Sequence, residues 1–201
     1  PNTTLLNSQF TYFDAKALPS LTLEKEMLPN DCIYVIFTSG STGNPKGIAI
    51  RRSAVSHFIS WSIEATGVSS ADKWGQFSNL GFDLSVMDLF TALGGGSILV
   101  SINSPEDRLL PAKAIKKYEL TIWHSVPSVI DLMNRAGQLT QGNINSLRLA
   151  SFCGEPLLAN HVKMLLVANS NLTIFNTYGP TETTIFCTCQ KINQENYLEV
   201  C

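Results

Sequence analysis

The chain has 201 residues, of which 44% are hydrophobic and 15% are charged, and its formal net charge is -2. This length is enough for one sizeable core, and the composition excludes a disordered chain, a coiled coil and a fibrous repeat. The 14 lysines and arginines do not outnumber the 16 aspartates and glutamates, which argues against nucleic acid as a partner. The apolar runs have strand length and fall far short of the roughly 20 residues that cross a bilayer, so we expect no membrane partner.

The cysteines and the charge content bear on the compartment and the completeness of the chain. The five cysteines are odd in number and show no C-x-x-C spacing, which argues against a zinc site and against a disulfide framework. We therefore expect most of them to be reduced, buried thiols of a cytoplasmic protein. The low charged fraction and the ends at Pro1 and Cys201 lead us to expect a fragment that packs against further chain.

Strands and helices are predicted to alternate after a mixed, polar segment, residues 1–31, which leads in from upstream chain. Ser53 is predicted to cap the first helix, whose apolar residues from 55 to 63 have helical spacing. Further predicted helices cover residues 83–93, 105–118, 127–136 and 156–168. Predicted strands cover residues 32–37, 48–50, 74–77, 97–101, 120–124, 147–152, 172–175 and 184–189.

This alternation predicts the fold class. Strands that alternate with helices are typical of an α/β fold, in which a layered, mostly parallel sheet is flanked by helices. In such sheets, ligands bind at the carboxyl ends of the strands, where the small-residue loops of this chain fall.

The segment 38–47 has the composition of a phosphate-binding loop. It follows a predicted buried strand and contains four hydroxyl side chains, three glycines and Lys46. Glycines let backbone N–H groups approach an anion, and a lysine neutralises its charge. The common P-loop is excluded because Pro45 takes the place of its second glycine and Gly47 that of its Ser or Thr. A flexible linker is the alternative, but linkers rarely follow a strand directly or end in Pro-Lys-Gly.

Three motifs together resemble the adenylate-forming enzymes, which include acyl-CoA synthetases, luciferases and the adenylation domains of nonribosomal peptide synthetases. They are YVIFTSGSTGNPKG at 34–47, GFDLS at 81–85 and NTYGPTET at 176–183. The resemblance covers about residues 32–189 and implies that residues 32–201 are the central part of the large N-terminal subdomain, without the C-terminal subdomain. Members of this family join a carboxylate to the α-phosphate of ATP and pass the acyl group to a thiol, usually the phosphopantetheine of a carrier protein.

The resemblance also implies a nucleotide site with ATP and Mg²⁺. Lys46, Thr181 and Glu182 are the implied catalytic residues, with Thr181 at the α-phosphate and Glu182 on the metal. A helix-cap or surface carboxylate is the alternative for Glu182. The phosphate loop would consist of Thr38, Ser39, Gly40, Ser41, Thr42, Gly43 and Lys46. The rest of the nucleotide pocket would consist of Gly154, Glu155, Asn176, Tyr178, Gly179 and Thr181, with Tyr178 stacked on adenine.

Asp83 carries the argument for the substrate class. In amino-acid-activating members of the family, the aspartate at this place pairs with the α-ammonium group, although a helix cap is its ordinary alternative. The implied side-chain pocket comprises Asp83, Leu84, Met87, His124, Ser151, Cys153, Thr177, Ile185 and Phe186. An ordinary strand-end histidine and a plain core cysteine remain alternatives for His124 and Cys153. The pocket favours a small neutral amino acid.

Two alternatives remain beside an adenylation domain of a peptide synthetase that makes a secondary metabolite. The same motifs also resemble free-standing D-alanine–carrier protein ligases, and flanking sequence would decide between the two. A non-catalytic nucleotide-binding homologue is the third possibility, against which the intact Lys46, Thr181 and Glu182 argue. His57 and His161 have no motif around them and are expected to be structural or exposed.

Overall fold

The computed structural model describes residues 5–6, 28–38 and 44–196. Several sequence predictions therefore lie outside the described residues, namely most of the segment 1–31, the cysteine at the C-terminal end and five residues of the phosphate loop. Those loop residues are Ser39, Gly40, Ser41, Thr42 and Gly43.

The strands form one large sheet and one hairpin. In chain order they are β1 (Leu5–Leu6), β2 (Cys32–Thr38), β3 (Lys46–Arg51), β4 (Lys73–Gln76), β5 (Ile98–Ser101), β6 (Ile122–Ser125), β7 (Leu149–Phe152), β8 (Thr173–Tyr178) and β9 (Thr188–Ile192). The seven-stranded sheet has the order β1-β5-β4-β6-β7-β8-β9. All its pairs are parallel except β8 with β9. This arrangement confirms the predicted α/β fold.

Helices cover both faces of the large sheet. They are α1 (Arg52–Thr66), α2 (Leu84–Gly94), α3 (Pro105–Leu109), α4 (Pro111–Tyr118), α5 (Ser128–Arg135) and α6 (Ala159–Ala168). Because side chains alternate along a strand, Ile122 joins the core under α1 and α2, whereas its neighbour Trp123 joins the core under α4, α5 and α6. These two apolar cores hold the sheet between two helical layers.

The hairpin formed by β2 and β3 is separate from the large sheet. Its strand β2 was predicted to be buried, and this prediction is wrong, since Val35 is exposed and Phe37 is 69% exposed. Register pairs Thr38 with Lys46, so these residues stand opposite each other where the phosphate loop leaves and re-enters the hairpin. The loop thus joins two antiparallel strands.

Two helix predictions are wrong in detail. Helix α1 begins at Arg52, and its N-cap residue Arg51 makes no side-chain cap hydrogen bond, so Ser53 does not cap it. The helix predicted over 105–118 is two helices that meet at Leu110, whose φ of -121° and ψ of 62° are not helical. Pro111 explains the break, since a proline disfavours helical dihedrals at the residue before it.

The last predicted strand is displaced along the chain. Residues Thr181–Thr183 form a single 3₁₀ turn, and Thr184 and Ile185 follow with φ values of 68° and 72°. Such left-handed dihedrals are unusual for β-branched residues and incompatible with a strand. The strand therefore starts at Thr188.

The remaining global predictions concern thiols and membranes. Cys153 is buried, but Cys32, Cys187 and Cys189 are exposed, so the prediction that most thiols are buried is wrong for the described cysteines. Within residues 28–38 and 44–196, no helix combines the length and apolar character needed to cross a bilayer.

Candidate active site

A cleft of about 540 Å³ lies at the carboxyl ends of β4, β6, β7 and β8. It brings together eight of the predicted site residues, namely Asp83, Leu84, Cys153, Gly154, Glu155, Gly179, Thr181 and Ile185. Eight further lining residues were not predicted, namely Phe77, Ser78, Asn79, Phe82, Arg108, Ser125, Val126 and Pro180. The cleft therefore joins part of the implied nucleotide pocket to part of the implied side-chain pocket.

Asp83 is the central charged group of the cleft. It stands at the N-cap position of α2 but makes no side-chain cap hydrogen bond. The residue is only 9% exposed, and its Oδ2 atom has no hydrogen-bond partner within the described part of the chain. Burial raises the pKa of Asp83 above its ordinary value, while hydrogen bonds from the Thr181 hydroxyl and from the backbone of Asp83 and Leu84 act in the opposite direction. A buried carboxylate with one unpartnered oxygen is suited to receive a cationic ligand group.

The other pocket residues lie deeper than the cleft surface. Met87, His124, Ser151 and Thr177 are buried and do not line the cleft. The Thr177 hydroxyl donates a hydrogen bond of 2.8 Å to the carbonyl oxygen of Phe152. Burial also raises the pKa of the Cys153 thiol, which keeps it protonated at the inner wall of the cleft.

Asp88 is a buried carboxylate that sequence reasoning missed. Its Oδ1 atom accepts a hydrogen bond of 3.0 Å from Trp74 Nε1 and lies 3.2 Å from His124 Nδ1. Its Oδ2 atom accepts a hydrogen bond of 3.4 Å from the Ser78 amide. One signal in the sequence could have revealed it. Asp88 directly follows Met87 on the buried face of α2, and a buried acidic side chain needs hydrogen-bond partners.

Phe186 does not join the predicted pocket. Its ring packs against Phe58 at 4.9 Å and against Trp61 at 5.6 Å between ring centroids. These aromatic residues line a second cavity between α1 and the segment 183–189. The turn at Thr184 and Ile185 separates Ile185, which lines the cleft, from Phe186, which faces α1.

Four of the implied nucleotide residues line the cleft, namely Gly154, Glu155, Gly179 and Thr181. The Glu155 carboxylate accepts hydrogen bonds from the Ser128 amide at 2.8 Å and from its hydroxyl at 3.0 Å, so this side chain holds the start of α5. Gly154 and Glu155 are thus left with their backbone groups for a ligand, as the resemblance implies. The Tyr178 ring is 69% exposed and open to stacking. Asn176 lies half-buried near the end of β8.

The close approach of two chain segments requires glycine at position 179. A Cβ atom there would lie 2.3 Å from the Cα atom of Phe186 and 2.7 Å from the Cys187 amide nitrogen. Only glycine permits this approach, which brings the turn Thr181–Thr183 back over the cleft. Steric exclusion of a side chain therefore explains the glycine at position 179 of the NTYGPTET motif.

The groups expected to hold phosphate and metal are exposed. Lys46 stands at the start of β3, and β3 lies against the 3₁₀ turn that carries Glu182. In the part of the chain that the structure describes, no three His, Cys, Asp or Glu side chains converge as metal ligands. A lone exposed carboxylate fits Mg²⁺, which takes most of its oxygen ligands from phosphates and water.

Arg108 adds a positive charge that no sequence motif predicted. Its Nη1 group donates hydrogen bonds to the carbonyl oxygens of Phe77 at 2.9 Å and Ile102 at 3.2 Å. Its guanidinium carbon lies 4.5 Å from the centre of the Phe77 ring. These contacts fix a cation at the side of the cleft next to β4 and β5.

Family comparison agrees with the motifs. The sequence model of the family described as AMP-binding enzyme matches residues 3–200. The chain therefore belongs to the AMP-binding enzyme family, within the adenylate-forming superfamily.

Individual relatives are identical to this chain at about a third of the aligned positions. An L-proline–[L-prolyl-carrier protein] ligase of Streptomyces coelicolor is 35% identical over 182 residues, which cover 89% of this chain and 33% of the relative. A D-alanine–D-alanyl carrier protein ligase of Staphylococcus epidermidis is 33% identical, with coverage of 87% and 36%. The crystal structure of the Vibrio cholerae adenylation domain AlmE with glycyl-adenosine-5'-phosphate matches with a TM-score of 0.78 and 37% identity, over 90% of this chain and 34% of that one. The chain thus spans about a third of the length of these relatives.

Proposed function

We propose that this chain is part of an enzyme that activates an amino acid with ATP and transfers it to a carrier protein. In the first step, a carboxylate oxygen of the amino acid attacks the α-phosphorus of ATP, and the bond to the β-phosphate breaks. The products are an aminoacyl-adenylate and pyrophosphate. In the second step, the phosphopantetheine sulfur of the carrier attacks the acyl carbon, AMP leaves, and the thiol proton passes to solvent.

The buried carboxylate of Asp83 carries this proposal. It lies in the same cleft as Thr181, and its Oδ2 atom finds no hydrogen-bond partner among the described residues. An α-ammonium group on this oxygen would neutralise a charge that burial alone disfavours. The carboxylate of the same substrate molecule would then face Thr181 and the α-phosphate.

The proposed nucleotide contacts are those that the family motifs imply. Thr181 would contact the α-phosphate, Tyr178 would stack on adenine, and Lys46 with the loop it follows would bind the β- and γ-phosphates. Glu182 would hold Mg²⁺, which supplies charge neutralisation at the phosphates when it is bound. The exposure of Lys46 and Glu182 leaves both free for these ligands.

The side-chain pocket supports a small neutral substrate. Met87, His124, Ser151 and Thr177 are closed off from the cleft, so little depth is open behind Cys153. Asp83 is the one acidic residue among the nine implied pocket residues, so a lysine or arginine side chain would remain unpaired in a buried place.

The proposal also concerns the rest of the protein. The named relatives are about three times longer than the matched segment, and two of them are carrier-protein ligases. We infer that residues 32–201 form the central part of a large subdomain and that a C-terminal subdomain and a carrier domain or carrier protein complete the function. A peptide synthetase and a stand-alone ligase share this chemistry.

Amino-acid-dependent exchange of labelled pyrophosphate into ATP tests the proposal. The full-length protein is assayed with each proteinogenic amino acid, with D-alanine and with simple fatty acids. We expect exchange with at least one amino acid and none with the fatty acids. Exchange with fatty acids alone, or with no carboxylic acid at all, would contradict the proposed function.

A further inference from the structure

Unpaired polar atoms concentrate in and behind the cleft. Seven buried side-chain nitrogen or oxygen atoms lack a hydrogen-bond partner in the described part of the chain. Two of them, Gln138 Nε2 and Ser146 Oγ, belong to the segment between α5 and β7. Tyr34 Oη belongs to the hairpin strand β2. The other four belong to residues that line the cleft, Ser78 and Asp83, or that lie behind it, His124 and Ser151. Each such atom costs about 1–3 kcal/mol, which a folded protein rarely tolerates unless water or a ligand supplies the partner.

His124 and Ser151 form a pair of such atoms. They are directly opposite each other in the parallel register of β6 and β7, so their side chains lie side by side on the same face of the sheet. Cys153, two residues further along β7, faces the same way and lines the cleft. The pair therefore lies one step behind the inner wall of the cleft.

Asp88 determines which nitrogen of His124 is unpaired. Both Asp88 oxygens accept hydrogen bonds from N–H groups, of Trp74 and of Ser78, so the carboxylate acts as an acceptor. His124 Nδ1, 3.2 Å from the Oδ1 atom, must then be the donor in their contact. This leaves Nε2 without a partner among the described residues, beside the Ser151 hydroxyl.

The pair belongs to the same site as the ammonium anchor. Asp83 and Cys153 line the same cleft, and Cys153 lies between that cleft and the pair. The side chain of an amino acid held by its ammonium group on Asp83 would therefore reach the pair past Cys153. Both side chains of the pair are buried, and Met87 on the buried face of α2 is an unbranched side chain that can repack to admit a small group.

We propose that the substrate is a small amino acid with a side-chain hydroxyl, such as serine, which hydrogen bonds to His124 Nε2 and Ser151 Oγ, and that Asp88 is a positioning residue for His124. This inference rests on the proposed function. A hydroxyl group both donates and accepts, which matches an acceptor nitrogen beside a serine hydroxyl. An acidic side chain would meet Asp83 and Asp88, and a side chain without polar atoms would leave both atoms of the pair unpaired.

Substrate competition in the pyrophosphate exchange assay tests the inference. The full-length protein is assayed with serine, alanine and 2-aminobutyrate, which differ by one hydroxyl or one methyl group. A site built to bind a hydroxyl rejects the analogue that lacks it, so we expect kcat/KM for serine to exceed both others at least tenfold. Equal or better activity with alanine, 2-aminobutyrate or a larger amino acid would overturn the inference and leave amino-acid activation standing.

Matched variants test the roles of the residues. Ser151→Ala should reduce the preference for serine over alanine at least about fivefold, whereas Ser146→Ala, which removes an equally unpaired hydroxyl far from the cleft, should not change it. Asp88→Asn should lower kcat/KM for serine more than for alanine. If Ser151→Ala keeps the full preference for serine over alanine, the role of Ser151 is wrong. If Asp88→Asn folds and lowers kcat/KM for serine and for alanine by the same factor, the role of Asp88 is wrong. Exchange with no amino acid overturns the proposed function and this inference with it.

Discussion

At the scale of single residues, the buried carboxylate of Asp83 destabilises the fold but is suited to bind a ligand. Its carboxylate is buried at the start of α2, and burial raises its pKa because the charged form is poorly solvated there. A carboxyl group whose pKa is higher in the folded state than in the unfolded state lowers stability progressively as the pH rises from the unfolded-state pKa through the folded-state pKa. A charged Asp83 therefore lowers the free energy of unfolding, as expected for a residue that serves binding.

The variant Asp83→Asn separates these two effects. At pH 7 we expect an unchanged or higher melting temperature, because the unpaired charge is gone. We expect KM for the amino acid to rise about 30-fold or more, because losing one partner of a buried ion pair costs about 2–5 kcal/mol. KM for ATP should change little. Thermal melts and exchange kinetics measure both effects on one preparation.

Glu106→Gln is the matched control, since Glu106 is an exposed carboxylate in α3. It should change neither the melting temperature nor KM for the amino acid. An Asp83→Asn variant that melts well below wild type while its KM stays unchanged would show that Asp83 is a structural residue.

At the scale of elements, the hairpin of β2 and β3 carries Thr38 and Lys46, which stand at the two ends of the phosphate loop. Lys46 is exposed, so Lys46→Ala should change the free energy of unfolding by no more than about 0.5 kcal/mol. Exchange activity should fall at least tenfold if this lysine binds the phosphates. The comparison with Lys163→Ala, an exposed lysine on α6, controls for loss of a surface charge. Equal exchange activity of the two variants would refute the assignment of Lys46 to phosphate binding.

Asp72 and Arg148 form an ion pair at the amino ends of β4 and β7, on the side of the sheet away from the cleft. Arg148 Nε and Nη2 each donate a hydrogen bond of 2.8 Å to the Asp72 carboxylate, and Nη1 donates to the carbonyl oxygen of Thr66 at the end of α1. Burial pushes the pKa of Asp72 upward, but the hydrogen bonds from Arg148, Thr121 and the Ser69 amide outweigh it and hold the pKa at about 2. Three elements are thereby tied together at the amino ends of the strands.

Stability should depend on pH through this carboxylate. Because its pKa lies below the ordinary value of 3.8, Asp72 stabilises the fold above about pH 4 and loses that effect as the pH falls toward 2. Asp72→Asn should cost about 1 kcal/mol at pH 7, since water screens the partly exposed Arg148, and the difference should shrink at pH 2.5. Urea unfolding at both pH values measures this.

Glu119→Gln serves as the control for that experiment. Glu119 pairs with Lys73 at 2.8 Å but is 76% exposed, and surface pairs of this kind contribute little. A cost for Asp72→Asn that is no larger than that for Glu119→Gln, or that grows as the pH falls, would disprove the role of Asp72.

Some of these structural features could be predicted from the sequence and others could not. Asp83 and Thr181 could be predicted to share a cleft because the carboxyl ends of parallel strands meet at one edge of the sheet. The left-handed turn at Thr184 and Ile185 could not, because local propensity favours a strand there and only the tertiary contacts of Gly179 impose the turn. Arg108 belongs to no motif, and its place in the cleft depends on carbonyl groups of two other segments.

At the scale of the whole molecule, the described surface carries apolar side chains that a free-standing domain rarely exposes. Phe37 and Val35 lie on the hairpin, Leu80 and Phe82 beside the cleft, and Phe90 on α2. Exposed apolar groups of this kind mark interaction surfaces. The 201-residue chain on its own should bind the dye ANS and self-associate at micromolar concentration, as fluorescence and light scattering would show. A monomer that does not bind the dye would contradict this prediction.

The central claim, that the cleft activates an amino acid held through Asp83, is tested most directly by removing the amino group from the substrate. Pyrophosphate exchange by the full-length protein is measured with its best amino acid and with the matching carboxylic acid that lacks the α-amino group. We predict that the amino acid supports exchange at least about 30-fold better, and that this advantage disappears in Asp83→Asn. Equal exchange with both acids, or an advantage that survives in Asp83→Asn, would contradict the account.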